Sequence, residues 1–334
     1  MRYVPVHELG PRAHVMIDGA ARQGTAVTLS HWPRSSTPPA LRRDLSSQIV
    51  LAALRTGYLE SSGVDVATID HYDEDGVIAL AFAIVPGLAE QHSEELVGAA
   101  AVGDFGVVVD RRAALIAFAL AALSDASRTP LQSVRAYEHE KAKHLEICGL
   151  ATRHVLAMIA ELADDPSRFE SLWRDEAAAF DESCRAIGHW VSIEEVPEQD
   201  LAIVRVAPGS SGEGAARWGG HVVHPAAVNT ATDRLRIATV AGSGMELRYR
   251  YESWVRMESY RPRPRVDLSR LASVLSRLEP TGVSWSFEGA GAPRPVMKTV
   301  GGVPSGIPAE VFVSEVVRHL AELDSGAPAW DPYV

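Results

Sequence analysis

The sequence predicts an α/β protein with a mainly parallel-sheet N-terminal domain, a helical linker and a smaller α/β C-terminal domain. In the first third, short apolar runs alternate with segments of helical spacing, a pattern typical of parallel strands joined by helices. Residues 131–188 have helical spacing almost throughout, and apolar runs between glycine- and proline-rich loops follow them. We therefore expect a first domain over residues 1–130, a linker over 131–194 and a second domain over 195–334.

Three apolar runs of the first domain are expected to form strands, at residues 13–17, 26–29 and 64–69. Asp44-Leu45-Ser46-Ser47 is a typical helix start, and helical spacing follows it up to Gly57. Helices are also expected over residues 96–104 and 111–124, with a helix or a further apolar segment over 77–85. Polar residues follow the expected strands, and in an open α/β sheet this edge is where binding sites are built.

The second domain is expected to contain four strands and two helices. The strands are expected at residues 201–207, 235–240, 245–255 and 283–287, and the helices at 268–278 and 309–323. The linker has a break near Asp164-Asp165-Pro166, and the glycine- and serine-rich segment 209–214 predicts a mobile loop.

Composition restricts the class of protein. The net charge of −11 argues against a long nucleic acid as partner but allows a small phosphorylated or nucleotide substrate bound by a few arginines. The two cysteines, Cys148 and Cys184, provide neither a disulfide framework nor a thiolate zinc site. No apolar run reaches the roughly 18 residues of a membrane span, and the N-terminus lacks a signal-peptide pattern. We expect a cytoplasmic protein without a membrane partner, and leave open whether it is a homodimer.

The segment His71-Tyr72-Asp73-Glu74-Asp75-Gly76 has the strongest chemical pattern in the chain. It follows an apolar run and places a histidine and two carboxylates at alternate positions. In an extended backbone, alternate side chains point to the same side, so the three would converge at the end of the strand. The pattern indicates either a metal site or a polar turn with a surface histidine.

Three further residues each follow a buried segment, namely Asp18, His31 and Asp104. Taken singly, each aspartate is also typical of a turn, and the histidine is also typical of a structural role. Together with His71, Asp73 and Asp75 they provide two histidines and four aspartates, a sufficient ligand set for two metal ions. Hard divalent cations such as Mn²⁺ and Mg²⁺ prefer carboxylate oxygen, and an imidazole shifts the preference toward Mn²⁺, Fe²⁺ or Zn²⁺.

The pattern His71-x-Asp73-x-Asp75-Gly76 resembles the His-x-Asp-x-Asp-Gly signature of the DHH-type phosphoesterases. Val15-Met16-Ile17-Asp18 is similar to that family's second motif, and Gly103-Asp104 to its fourth. Ser30-His31-Trp32-Pro33 is similar to its Asp-His-His motif, with Ser30 and Trp32 in place of an aspartate and a histidine. In the family the His-x-Asp-x-Asp motif comes first, so the resemblance implies a circularly permuted domain.

The resemblance implies two manganese ions, one held by His71 and Asp73 and the other by Asp75. Asp18 would bridge them, and His31 and Asp104 would complete the ligand set. The expected activity is a metal-dependent phosphoesterase in which His71, Asp73, Asp75 and His31 act through a metal-activated water. The alternatives are a metal enzyme with non-phosphate chemistry, and a degenerate domain that binds a nucleotide or a partner without turnover.

Positive side chains are needed to orient a phosphorylated substrate. The candidates are Arg34, Arg263, Arg265, Arg294 and Lys298, with an ordinary charged loop as the alternative. Arg217-Trp218-Gly219-Gly220-His221 is a loose counterpart of the family's glycine-rich substrate motif. Glu138, His139, Glu140 and His144 are expected to form a solvated helix face, because a di-iron site would need matching motifs on other helices.

Overall fold

A computed structural model describes residues 1–125, 127–135, 144–207, 223–280 and 282–334. The expected loop at 209–214, the 217–221 motif and residues 138–140 of the histidine-rich helix therefore lie outside the described residues. The chain forms two compact units, one of residues 1–179 with 257–260 and the other of residues 180–256 with 261–334. Residues 131–179 of the expected linker belong to the first unit, and residues 180–194 belong to the second.

The first unit contains a four-stranded parallel sheet surrounded by helices. Its strands are β1 (Arg2–Tyr3), β2 (His14–Ile17), β3 (Thr25–Leu29) and β4 (Val66–Thr68). The α-helices that begin in this unit are α1 (Ser46–Arg55), α2 (Tyr58–Ser61), α3 (Glu74–Ile84), α4 (Pro86–Phe105), α5 (Arg111–Ser124), α6 (Gln132–Arg135), α7 (His144–Asp164) and α8 (Glu170–Ala186). Short 3-10 helices cover Val6–Glu8, Pro39–Leu41 and Pro166–Phe169.

The strand order is β1-β4-β2-β3, with every pair parallel. All residues of β2 and β4 are buried, which agrees with the near-continuous apolar runs of strands that are covered on both faces. The helix α3 packs against α1 and α4, and residues 75–83 of it are buried. This arrangement confirms the α/β class with a parallel N-terminal sheet. The carboxyl ends of β2, β3 and β4 lie at one edge, where the candidate residues follow.

The second unit contains a mixed six-stranded sheet. Its strands are β5 (Val191–Val196), β6 (Leu201–Val206), β7 (Arg236–Ala241), β8 (Gly244–Tyr249), β9 (Trp285–Phe287) and β10 (Val296–Thr299). Its helices are α9 (Pro225–Ala231), α10 (Ser269–Leu278) and α11 (Ala309–Leu323), with 3-10 helices at Pro197–Gln199, Tyr251–Ser253 and Val300–Gly302. The strand order is β5-β6-β7-β8-β10-β9, and only β6 and β7 run parallel.

Alternate residues of the central strands divide the core of this unit into two clusters. Leu247 and Tyr249 of β8 pack with residues of α10 and α11 on one face of the sheet. Ala202, Val204 and Ile237 belong to the other cluster, together with Val228 of α9. The sequence missed β5 and β10, and the expected domain start at residue 195 falls inside β5. None of the helices in the described part of the chain has the length and hydropathy of a membrane span.

Candidate metal centre

The carboxyl edge of the first sheet collects the aspartates and histidines of the predicted site. Asp18 follows β2 directly, His31 lies two residues after β3, and His71 follows β4. Asp73 is the N-terminal cap of α3, Asp75 lies in its first turn, and Asp104 lies at the end of α4. In two groups of three residues, Asp18-His31-Asp75 and Asp18-His71-Asp73, possible ligand atoms lie within 4.8 Å of one another. We call them the inner and the outer triad, and Asp18 belongs to both.

The inner triad is fully buried, together with Asp104. The Nε2 atom of His31 lies 3.5 Å from Asp18 Oδ1 and 3.4 Å from Asp104 Oδ2. The Nδ1 atom of His31 lies 2.5 Å from the carbonyl oxygen of Asp44, which can only accept a hydrogen bond, so Nδ1 carries the proton. Burial also lowers the pKa of His31, which favours the neutral imidazole that binds metals. Nε2 is therefore the ligand atom that faces the two carboxylates.

Asp75 is held by the N-terminus of α1. The backbone N–H of Ser46 donates to Asp75 Oδ2 over 2.6 Å, and that of Ser47 donates to Oδ1 over 2.9 Å. Helix N-termini leave such N–H groups without intrahelical partners, and a carboxylate is well suited to accept from them. Asp75 thus fixes the start of α3 against the start of α1.

His71, Asp73 and Asp75 converge for a different reason from the one that the sequence predicted. The strand β4 ends at Thr68, and α3 begins at Glu74, so residues 71–75 do not form one extended segment. His71 reaches the site from a loop, whereas Asp75 reaches it from a helical turn. The three side chains approach Asp18 because the strand end and the helix start meet there, not because they alternate along a strand.

Asp18 lies at the centre of the site and has an unusual environment for a carboxylate. It is buried, and its backbone has a left-handed φ of 47°. Its Oδ1 accepts a hydrogen bond of 2.7 Å from the hydroxyl of Ser46. Its Oδ2 accepts no hydrogen bond from any residue that the structure describes and lies 3.4 Å from Nε2 of His71. A buried carboxylate oxygen without a hydrogen bond is a candidate ligand for a cation.

The outer triad opens to solvent. The side chains of His71 and Asp73 are each 25% exposed, and His71 Nε2 lies 2.9 Å from Asp73 Oδ2. The other oxygen of Asp73 caps α3 by accepting from the N–H of Gly76 over 2.8 Å. Burial lowers the pKa of His71, but the charges of Asp73 and Asp18 and the hydrogen bond to Asp70 outweigh it and raise this pKa to about 12. A group of anions therefore faces this imidazole.

Ser30 and Trp32 occupy the positions at which the sequence departs from the DHH-type pattern. The hydroxyl of Ser30 accepts from the backbone N–H of Trp32 over 3.1 Å. The ring of Trp32 packs against His71 with a centroid distance of 5.2 Å. Trp32 therefore lines the outer triad beside His71.

Sequence reasoning missed three residues that hold the candidate ligands. Ser46 bonds Asp18 through its side chain and Asp75 through its backbone, and the carbonyl of Asp44 holds His31. Asp70 Oδ1 lies 3.0 Å from Nδ1 of His71. The signal available for Asp70 was its place directly after the apolar run of β4. Ser46 gave no signal beyond that of a helix start.

The predicted substrate-binding residues are distributed over both units. Arg34 is exposed in the first unit, with a left-handed φ of 61°. Arg263, Arg294 and Lys298 are in the second unit. Arg263 donates to the carbonyl of Glu198 and to Asp324, and Arg294 lies over the ring of Tyr251. A role of Arg34, Arg263, Arg294 and Lys298 in substrate binding stays a prediction.

Arg265 has a structural role, which corrects the expectation that it binds substrate. It is fully buried, and its guanidinium donates to Ser253 and to the carbonyl oxygens of Ala290, Ala292, Arg250 and Pro293. All five of its N–H groups are engaged in this way. Arg265 therefore holds the 290–293 loop in place.

An Arg265→Lys variant is expected to lower the free energy of unfolding by about 3 kcal/mol, because lysine cannot replace the fork of donors and leaves buried carbonyls without partners. Urea unfolding of the full chain measures this loss. Arg270→Lys is the matched control, because Arg270 is exposed on α10, and we expect a change within about 0.5 kcal/mol. Equal effects of the two variants would contradict the structural role.

Comparison with known proteins gave one match. The family model DUF6687, described as a family of unknown function, matches residues 1–330. No curated protein and no solved structure matches the chain.

Proposed function

The chain belongs to the DUF6687 family, whose function is not established, and we propose that it is a metal-dependent phosphoesterase. Its substrate would be a phosphorylated small molecule or a short nucleotide. The observation that carries the proposal is the pair of ligand triads that share Asp18, whose buried Oδ2 accepts no hydrogen bond from the described residues. This arrangement provides two neighbouring cation positions with one carboxylate between them.

The charges of the site support a pair of divalent ions. The six predicted ligands comprise the four carboxylates of Asp18, Asp73, Asp75 and Asp104 and the two imidazoles of His31 and His71. With the carboxylates ionised and the imidazoles neutral, as metal binding requires, these six side chains have a formal charge of −4, which two divalent cations would balance. Burial, together with the charge of Asp73, raises the pKa of Asp18 well above its ordinary value, and burial also raises that of Asp75. Without cations, the ionised cluster is therefore unfavourable.

The geometry of the donor set fits ions of this kind. Ligand atoms roughly 2.0–2.3 Å from one ion lie at most about 4.6 Å apart, and the possible ligand atoms of each triad lie within 4.8 Å of one another. Oxygen ligands with one imidazole per triad favour Mn²⁺, with Mg²⁺, Fe²⁺ and Zn²⁺ as alternatives. Both histidines point Nε2 toward Asp18, which suits imidazole ligands to two adjacent ions.

The residues of the site would have different roles in phosphoester hydrolysis. Two bound divalent cations would supply Lewis-acid stabilisation of the phosphoryl oxygens and a water of lowered pKa. Asp18 would contribute to both positions, and the buried His31, Asp75 and Asp104 would hold the inner ion away from solvent. His71 and Asp73, which are partly exposed, line the side from which a phosphoryl group can approach.

The test combines metal analysis with a substrate panel. We expect about two Mn²⁺ per chain after reconstitution, and release of phosphate or a nucleoside monophosphate from phosphorylated small molecules and di- to tetranucleotides. Asp73→Ala should abolish turnover, whereas Asp65→Ala should not, because Asp65 is an exposed aspartate paired with Arg2. Metal binding without hydrolysis would favour non-phosphate chemistry, and absence of any bound metal would refute both enzymatic interpretations.

A further inference from the structure

We propose that Asp70 is a positioning residue of the metal centre, which fixes the orientation and the tautomer of His71 for binding a cation in the outer triad. The inference rests on the proposed metal centre and adds a determinant of its affinity that lies outside the ligand set. It does not depend on which phosphorylated compound is hydrolysed.

The first step is the tautomer of His71. Its Nδ1 atom lies 3.0 Å from Asp70 Oδ1, while its Nε2 atom lies 2.9 Å from Asp73 Oδ2 and 3.4 Å from Asp18 Oδ2. A carboxylate beside Nδ1 keeps the proton on that nitrogen. In the neutral imidazole that binds a cation, the lone pair of Nε2 then points toward Asp18 and Asp73. Carboxylate–histidine–metal arrangements of this kind raise ligand basicity and fix the ring.

The second step is that Asp70 itself is held. Its Oδ2 accepts from Nη2 of Arg22 over 3.2 Å, and the backbone N–H of Arg22 donates to Thr25 Oγ1 over 3.0 Å. The connection between β2 and β3 thus provides Asp18 at its beginning and the partner of Asp70 further along. The side chain of Asp70 is only 14% exposed, which sets it apart from an ordinary surface aspartate.

The third step is the space that Gly19 leaves for Asp70. A Cβ atom at Gly19 would lie 2.8 Å from Asp70 Oδ1 and 3.0 Å from its carboxyl carbon. Real Cβ atoms do not approach so closely, so Gly19→Ala would displace the carboxylate from His71. Gly19 is next to Asp18, and its backbone φ is not in the left-handed region. A methyl group there therefore acts on Asp70 through contact, without added backbone strain.

The two histidines differ in how they are held. The backbone carbonyl of Asp44 holds Nδ1 of His31, whereas the side chain of Asp70 holds Nδ1 of His71. Substitution at residue 70 should therefore weaken one metal position and spare the other. Loss of such a partner typically lowers metal affinity 10–100-fold.

The test is calorimetric titration of the metal-free protein with Mn²⁺, together with the visible spectrum of the Co²⁺-substituted protein. We expect Asp70→Ala to weaken one of two binding steps about 10–100-fold and to change the Co²⁺ bands, with the other step unchanged. Asp70→Asn should recover part of the affinity, because its amide oxygen can still accept from Nδ1. Gly19→Ala should resemble Asp70→Ala, and Asp65→Ala should resemble the wild type.

Three outcomes would overturn the inference. The first is Mn²⁺ affinities and Co²⁺ bands of Asp70→Ala within twofold of the wild type, while the wild type binds two ions. The second is equal weakening of both binding steps, which would indicate a general structural defect. The third is a wild-type protein that binds no Mn²⁺ or Co²⁺, which would refute the proposed function as well. A wild type that binds metal but hydrolyses nothing would refute the phosphoesterase alone.

Discussion

An Asp18→Asn variant is expected to lose Mn²⁺ binding at both triads and to hydrolyse phosphoesters at least about 10³-fold more slowly than the wild type. Asp18 belongs to both triads: its Oδ1 lies 3.5 Å from Nε2 of His31, and its Oδ2 lies 3.4 Å from Nε2 of His71. An amide supplies no charge to balance either cation. A loss of about 4 kcal/mol of stabilisation corresponds to this factor. Metal content and initial rates measure the effect, with Asp65→Asn as the exposed control.

In the metal-free protein, Asp18→Asn should not lower the free energy of unfolding, although it removes metal binding and activity. Burial, with the charge of Asp73, raises the pKa of Asp18, so its ionised form opposes folding when no cation is present. This opposition begins above the unfolded-state pKa, at about pH 4, and grows as pH rises toward the folded-state pKa. In EDTA, Asp18→Asn should therefore be at least as stable as the wild type, and its advantage should grow from about pH 4 to pH 7. A less stable variant at pH 7 would contradict this.

An Asp75→Ala variant is expected to lower the free energy of unfolding of the metal-free protein by about 3 kcal/mol. The carboxylate accepts the backbone N–H groups of Ser46 and Ser47, and alanine would leave both buried donors without a partner at the start of α1. Urea unfolding in EDTA measures the loss, and hydrogen exchange should locate it in residues 46–55. Asp110→Ala is the matched control, because the exposed Asp110 caps α5 by accepting from the backbone N–H of Ala113 over 2.7 Å, so we expect about 1 kcal/mol.

Two results would contradict this account of Asp75. One is a loss no larger than that of Asp110→Ala. The other is unchanged exchange of the α1 amides together with faster exchange elsewhere. Asp18 and Asp75 are both buried carboxylates of the inner triad. The opposite effects expected for Asp18→Asn and Asp75→Ala on the free energy of unfolding would therefore distinguish Asp18, a proposed metal ligand, from Asp75, a proposed ligand that also holds the start of α1.

Much of the site was predictable because a parallel sheet collects the residues that follow its strands. Apolar runs identified β2, β3 and β4, and their common carboxyl edge brings Asp18, His31 and His71 together. The edge strand β1 has only two residues and is too short to produce a pattern. The amphipathic strand β5 contains Ser192, Glu194 and Glu195, and an edge strand needs fewer apolar residues than a central one.

The unpredicted contacts depend on tertiary structure. The place of Asp70 against its neighbour His71 depends on Arg22, which is 48 residues away in sequence. The role of Asp75 depends on the distant start of α1. Arg265 belongs to a run of arginines that is typical of a charged loop, but a surrounding set of carbonyl oxygens permits its burial.

The junction of α1 and α3 through Asp75 has a kinetic consequence. The inner triad has no solvent-exposed ligand, and the N-terminus of α1 covers Asp75 directly. We therefore expect a cation bound there to leave after local opening of the protein, in microseconds to seconds or slower. A chelator should therefore remove the two ions in two phases. The slow phase should depend on temperature and denaturant, and not on chelator concentration.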